Sequence, residues 1–178
     1  MRLLEKEQKK GFVWLYLLIS AVCVAVDQLT KWLCVTYLMD IESVTLIPGL
    51  LRLTYLENRG AAFGSLSDHR WVFMVLSSVA IVGVTVYLVR FSEQSRLLRV
   101  ALAMIIGGGI GNMIDRIALG YVIDFIDFYG IWAYIFNGAD SFVCVGAGLI
   151  VLYCILGMRE ELKKQPSKSL SDGDGGDV

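Results

Sequence analysis

The sequence has a single histidine, His69, and no two cysteines at CxxC spacing. Those shortages exclude a good deal of chemistry. A zinc site needs a cluster of nitrogen and sulfur ligands, and one imidazole with scattered thiols supplies none; HExxH is absent as well. Disulfide frameworks belong to short, loop-rich secreted domains, whereas Cys23, Cys34, Cys144 and Cys154 all stand inside apolar runs and read as small core or lipid-facing residues. A serine or cysteine nucleophile needs a base within hydrogen-bond reach. G-x-S-x-G is missing and the cysteines lack polar neighbours, which leaves one alternative of that class open, a Ser–Lys pair of Ser141 and Lys31. Charge is scarce too. Only 19% of the 178 residues are charged, and a net charge of −1 offers no basic balance for nucleic acid.

Hydrophobic sequence fills the space: 56% of the residues, with a mean hydropathy of +0.64. A soluble domain would have about 45–50% apolar and about 25% charged residues. Four long apolar runs carry the excess and predict an all-α membrane protein with spans at about 12–36, 71–89, 97–114 and 139–157. A leader, 1–11, with Arg2, Lys6, Lys9 and Lys10, precedes the first run. That run resembles a signal-peptide core, but it continues through VDQLTKWLCVTYL without a small-residue cleavage site and is read as a retained span. Asp27 and Lys31 stand at i, i+4 within it, on one helical face, able to pair or to point together into the bundle.

Residues 37–70 change character. Pro48 and Gly49 mark a turn and LLRLTYLEN nearly alternates in polarity, predicting a short strand pair within a segment of about 42–66. NRGAAFG suggests tight backbone packing. GGGIGN, inside the third run, lacks the preceding strand and following Lys-Ser/Thr of a phosphate loop; close helix packing suits it better. The polar stretch 159–178 is predicted to be a disordered tail. Basic residues concentrate in the leader, the Arg90–Arg99 loop and the tail. With four spans these share one side, so both termini are expected in the cytoplasm and the loops 37–70 and 116–138 outside. Trp32, Tyr37, Trp71, Tyr129, Trp132 and Tyr134 would then mark the outer boundary.

The same arrangement brings Asp27, Lys31, Asn58, Asn112, Asp115, Arg116, Asp124, Asn137 and Asp140 to one depth. Ionisable groups there are costly, and functional by default. Two aspartates forced together cannot both ionise and share a proton. The charged one activates water while the protonated one donates to a carbonyl oxygen, which requires no metal. Asp124 and Asp140 are the leading pair, with Asp127, three residues after Asp124, as an alternative partner. Asp140 stands near the start of the fourth run, where a helix N-terminus favours the anion, so it is expected to be the more acidic member. Asn137 is a candidate cap for that helix, Asn112 a candidate to satisfy backbone at a helix end or fix the loop, and Asp115–Arg116 an ion pair in support. Two rival readings use the same residues: a proton relay through Asp27, Asp115 and Asp124 in a binding or transport protein, and a scaffold in which polar groups only glue helices together.

Five motifs in order, VDQLTKW at 26–32, ENRGAAFG at 57–64, GGGIGNMIDR at 107–116, VIDFIDF at 122–128 and FNGADS at 136–141, resemble those of the lipoprotein signal peptidases (bacterial signal peptidase II), a family of aspartyl membrane proteases. The resemblance covers nearly the whole chain. It implies a single peptidase domain over 12–158, built as a four-transmembrane-helix bundle with a small extracytoplasmic β-sheet (the cradle) and a short periplasmic helix. It also implies an endopeptidase that removes signal peptides from diacylglyceryl-modified prolipoproteins, cutting on the N-terminal side of the lipidated cysteine, with no cofactor. Asp124 and Asp140 would be catalytic. Asn112, Asp115, Arg116, Asn137 and Ala139 would line or shape the site, Asn58 and Gly60 would lie on the cradle near the substrate, and Asp27 and Lys31 would support it from the first helix. Membrane lipid and globomycin-type inhibitors are the other implied partners, and the bacterial inner membrane, with the site near the outer leaflet, is the implied location. The chain departs from the family at Arg59, where threonine is frequent, and at Gly138, where a bulkier apolar residue is frequent.

Overall fold

The computed structural model describes residues 2–59, 70–91 and 95–164. In chain order the elements are α1 (Arg2–Leu38), β1 (Ser43–Ile47), β2 (Leu51–Asn58), α2 (Arg70–Arg90), α3 (Arg96–Ala118), β3 (Val122–Asp127), β4 (Ile135–Phe136) and α4 (Gly138–Lys164). Long apolar runs become helices because lipid offers no partner to an unpaired peptide group. Among the described residues, three stretches are long and apolar enough to cross a membrane: Val13–Leu38, Arg96–Ala118 and Gly138–Glu161. The apolar part of α2, Met74–Arg90, is shorter. The expected four spans are therefore three on this measure, and the short periplasmic helix is not among the described elements. Trp14, Leu18, Val22, Leu29 and Trp32 of α1 stand exposed, as do Val151, Leu152 and Ile155 of α4. Apolar surface on that scale suits an apolar solvent.

Helix α3 is the central post. A Cβ at Gly107 would come within 2.6 Å of Cys23 Cβ and 2.7 Å of Ser20 O on α1, and one at Gly108 would run into Ala139 O on α4. The glycines thus let α3 touch the α1 and α4 backbones, the packing that GGGIGN suggested. Away from the sheet, Tyr16, Leu88, Leu98, Leu102, Ala103 and Ile106 form an apolar core. Ser20 in its midst donates to Ala103 O at 2.8 Å.

The strands form one antiparallel sheet in the order β1-β2-β3-β4. Gly49 takes φ +77° in the β1–β2 turn, a left-handed conformation that favours glycine. Leu56 pairs with Asp124 and Asn58 with Val122, and a bulge between Leu53 and Leu56 shifts the register. Cys34 and Leu38 at the end of α1 pack on Ile123 and Phe125, which seats the sheet on the helices. Strands β3 and β4 lie in the stretch expected to be an outer loop. Helix α4 continues to Lys164, so the predicted disordered tail is helical over 159–164, where Glu, Leu and Lys are good helix formers; 165–178, like Gly60 and His69, lie outside the described residues.

Candidate active site

Strand β3 and the start of α4 each deliver one aspartate. Asp124, 1% exposed, accepts from Asn58 Nδ2 at 2.7 Å on Oδ2 and from Asn137 Nδ2 at 2.6 Å on Oδ1. Asp140, in the first turn of α4, accepts from Asn112 Nδ2 at 2.7 Å, and its backbone N–H donates to Asn137 Oδ1 at 2.9 Å. Asn137 is thus the cap of α4, as its position before the helix suggested. Its Nδ2 also lies 3.0 Å from Asn112 Oδ1. The two carboxylates are therefore joined through two asparagine amides. Burial pushes the Asp124 carboxyl up to about 6; the Asp140 carboxylate adds to the rise, and the Asn58 and Asn137 amides and the Lys31 ammonium oppose it.

Beneath this pair is a fully enclosed ionic cluster. Lys31, 2% exposed, places Nζ 2.9 Å from Asp27 Oδ2, 3.0 Å from Asp115 Oδ2 and 2.9 Å from Asn112 Oδ1. An ammonium has three N–H donors, and all three are used. The i, i+4 pairing of Asp27 and Lys31 is present, with a second anion added. Asp27 Oδ1 also accepts from Ala139 N at 2.7 Å, and Asp115 Oδ2 from Ile123 N at 3.1 Å.

The structure thus brings together Asp27, Lys31, Asn58, Asn112, Asp115, Asp124, Asn137, Ala139 and Asp140; Arg116 joins at the edge, donating to Asn112 O at 3.3 Å. Gly60 falls outside the described residues. Three local readings change. Asp115 pairs with Lys31 rather than Arg116, because neighbours on a helix point about 100° apart. Asp127 is no partner for Asp124: strand side chains alternate, so a residue three positions on faces the other way, and Asp127 pairs with Arg52 and Thr54. Ser141 Oγ donates to Asn137 O at 2.9 Å while the Lys31 protons are committed elsewhere, which removes the Ser–Lys alternative.

Two site residues escaped the sequence reading. Gln28 Nε2 donates to Asp115 Oδ1 at 2.9 Å and to Gly111 O at 3.2 Å. A Cβ on Gly111 would lie 2.5 Å from Asp27 Oδ2, so only glycine lets α3 approach that carboxylate. The available signal for Gln28 was a polar residue beside Asp27 in an otherwise apolar run; Gly111 was hidden among glycines already assigned to packing.

The profile of the Signal peptidase (SPase) II family matches residues 19–156, a span that contains every residue of this site. The chain belongs to the signal peptidase II family. A lipoprotein signal peptidase of Symbiobacterium thermophilum is 44% identical over 144 residues, 80% of this chain and 95% of that protein. One from Caldanaerobacter subterraneus subsp. tengcongensis is 48% identical over 131 residues, 74% of this chain and 89% of that protein. A solved structure described as a bacterial membrane enzyme shares the fold with a TM-score of 0.72 at 30% identity, covering 90% of this chain and 96% of that one. As a member of the signal peptidase II family the protein is a peptidase of bacterial membranes, and the proton-relay and scaffold readings fall away.

Proposed function

We propose that the protein removes signal peptides from diacylglyceryl-modified prolipoproteins by an aspartic mechanism, cutting on the N-terminal side of the lipidated cysteine. The observation that carries this reading is the Asp124–Asn137–Asn112–Asp140 chain of hydrogen bonds, which holds two carboxylates from separate elements at one site. Asp140, at a helix N-terminus, is the ionised member and draws a proton from water. Asp124, raised to about 6 by burial, holds the shared proton and donates it to the carbonyl oxygen of the scissile amide. Asn58, Gly60 and Ala139 line the substrate path, while Asn112, Asn137, Asp115, Arg116, Asp27 and Lys31 support the pair.

In this reading residues 12–158 form one membrane-embedded peptidase domain in which α2 serves as a fourth span, and the sheet is the cradle on the outer side. The basic segments put both termini in the cytoplasm, and the pair near the outer leaflet of the inner membrane. A diacylglyceryl anchor would keep the scissile bond at that depth and convert lateral diffusion into positioning. An apolar cavity of about 280 Å³, lined by Leu33, Cys34, Tyr37, Leu38, Leu53 and Phe125, opens beside the strand that carries Asp124 and suits hydrocarbon. Globomycin-type inhibitors would occupy the same cleft. The test is incubation of the purified protein with a diacylated prolipoprotein, beside Asp124→Asn and Asp140→Asn. Cleavage by the parent and by neither variant is expected; cleavage that survives both substitutions sinks the aspartic mechanism, and an inactive parent sinks the substrate assignment.

A further inference from the structure

The Lys31 ammonium reaches both aspartates of the pair by separate routes. Through Asp27 it is tied to the N–H of Ala139, the residue before Asp140. Through Asp115 it is tied to the N–H of Ile123, the residue before Asp124. The third route runs through Asn112. An ammonium carries only donors, so whichever end of the Asn112 amide meets Lys31 must be its oxygen. The Asn112 nitrogen is then forced toward Asp140. Asn137 obeys the same logic: its oxygen caps the Asp140 N–H, so its nitrogen must face Asp124.

We infer that Lys31 is the positioning residue of the aspartate pair, setting the separation of Asp124 and Asp140 through Asp27 and Asp115 and the direction of the Asn112 amide between them. Lys31 touches no reacting atom. With the ammonium gone, the Asn112 oxygen keeps only the Asn137 Nδ2 donor at 3.0 Å, so the amide that donates to Asp140 is held less firmly, and the two backbone ties lose their common anchor. The inference rests on the aspartic mechanism proposed above.

Among the described residues, the charged groups facing the pair are Lys31 and Asp27 on α1 and Asp115 and Arg116 on α3, with the two aspartates themselves on β3 and α4; β2 contributes the neutral Asn58. Lys31, Asp27 and Asp115 sum to −1, and Lys31→Met leaves −2. Removing the cation disfavours ionisation of Asp124, which the ammonium otherwise favours, so the alkaline limb of the pH profile moves to higher pH, by about one unit. Loss of position appears separately, as a fall in kcat of about 100-fold with KM changed less than about threefold. Lys31→Met/Asp115→Asn returns the cluster to −1, and its pH profile is expected back near the parent's while kcat stays low.

These variants are measured for cleavage of a diacylated prolipoprotein against pH, beside Asp124→Asn and Asp140→Asn, with thermal melting in detergent to establish folding. A double variant with parental kcat would show that Lys31 acts by charge alone and overturns the inference. So does a Lys31→Met enzyme with low kcat and an unmoved profile, which marks a merely structural residue. Should Lys31→Met not accumulate folded, Asn112→Leu tests the amide route with the ammonium in place. A kcat at least about tenfold lower supports the inference, and an undiminished kcat refutes it. Activity in the two aspartate variants would instead refute the mechanism on which it rests.

Discussion

Strand β3 carries two buried aspartates three residues apart, and the surroundings of each give it a different chemistry. Asp127, 4% exposed, meets the Arg52 guanidinium and the Thr54 hydroxyl, and Arg52 in turn lies 5.0 Å over the Tyr129 ring. Asp124, 1% exposed, meets two neutral amides and feels the charge of a second carboxylate. A cation in direct contact ties a carboxylate down as one half of an ion pair, whereas neutral amides orient it without cancelling its charge. One strand therefore offers an ion-paired acid to one side of the sheet and an amide-held acid, the proposed proton donor, to the other, and the residues on β2 and α4 determine which is which.

The comparison breaks most severely if the two acids prove interchangeable. Asp124→Asn and Asp140→Asn are expected to lower kcat by more than about a thousandfold, since each removes a proton-transfer partner. Asp127→Asn should leave kcat within about threefold while lowering the melting temperature. Comparable losses at Asp124 and Asp127 in a prolipoprotein cleavage assay would defeat the distinction. Next comes the amide between the acids. Asn137→Ala removes the Asp124 contact, the link to Asn112 and the α4 cap together. A kcat loss of about 100-fold should accompany roughly 1 kcal/mol of lost stability, read by kinetics and thermal melting; a stability loss alone would reduce Asn137 to a cap.

A finer test uses pH. In the proposed mechanism Asp124 must hold its proton to donate it, and that proton leaves as pH rises through about 6. In detergent, kcat/KM of the free enzyme should therefore fall on the alkaline side from about that pH. The Asn58 amide donates to the anionic form and so pulls the carboxyl down. Asn58→Leu deletes that donor, and the descending limb should move upward by about one pH unit. A downward movement or a fixed limb would show that Asp124 is not the proton donor.

Much of this site was legible because charge inside apolar sequence is conspicuous. Asp27 and Lys31 announced themselves by helical spacing, Asn137 by its place before a helix, and GGGIGN by its small residues. The choice between Asp127 and Asp140 as partner for Asp124 was a different matter. It turns on the two-residue period of a strand, and VIDFID does not read as one, because β3 is buried on both faces and shows no alternation. Partners far apart in the chain were equally hidden: Asp115 stands next to Arg116, yet its cation is Lys31, on another helix. The ordered motifs pointed to Asp124 and Asp140, but only tertiary packing assigns each carboxylate its contacts.

The smallest effect is expected at Arg52. Its side chain is 39% exposed, so water screens the pair with Asp127 and reaches the carboxylate once the guanidinium is gone. Exposed pairs contribute about 0.2–1 kcal/mol, and the stacking on Tyr129 about 0.5–1 kcal/mol more. Arg52→Ala should thus cost about 1 kcal/mol, a fall in melting temperature of about 2–4 °C for a chain of this size, with cleavage nearly unchanged. A fall beyond about 10 °C would mean that Asp127 is sealed from water as tightly as Asp124. The two acids would then differ only in their partners, not in access to solvent. A large loss of cleavage would show that the sheet transmits strain from one acid to the other, and the two sides of β3 would no longer be separable.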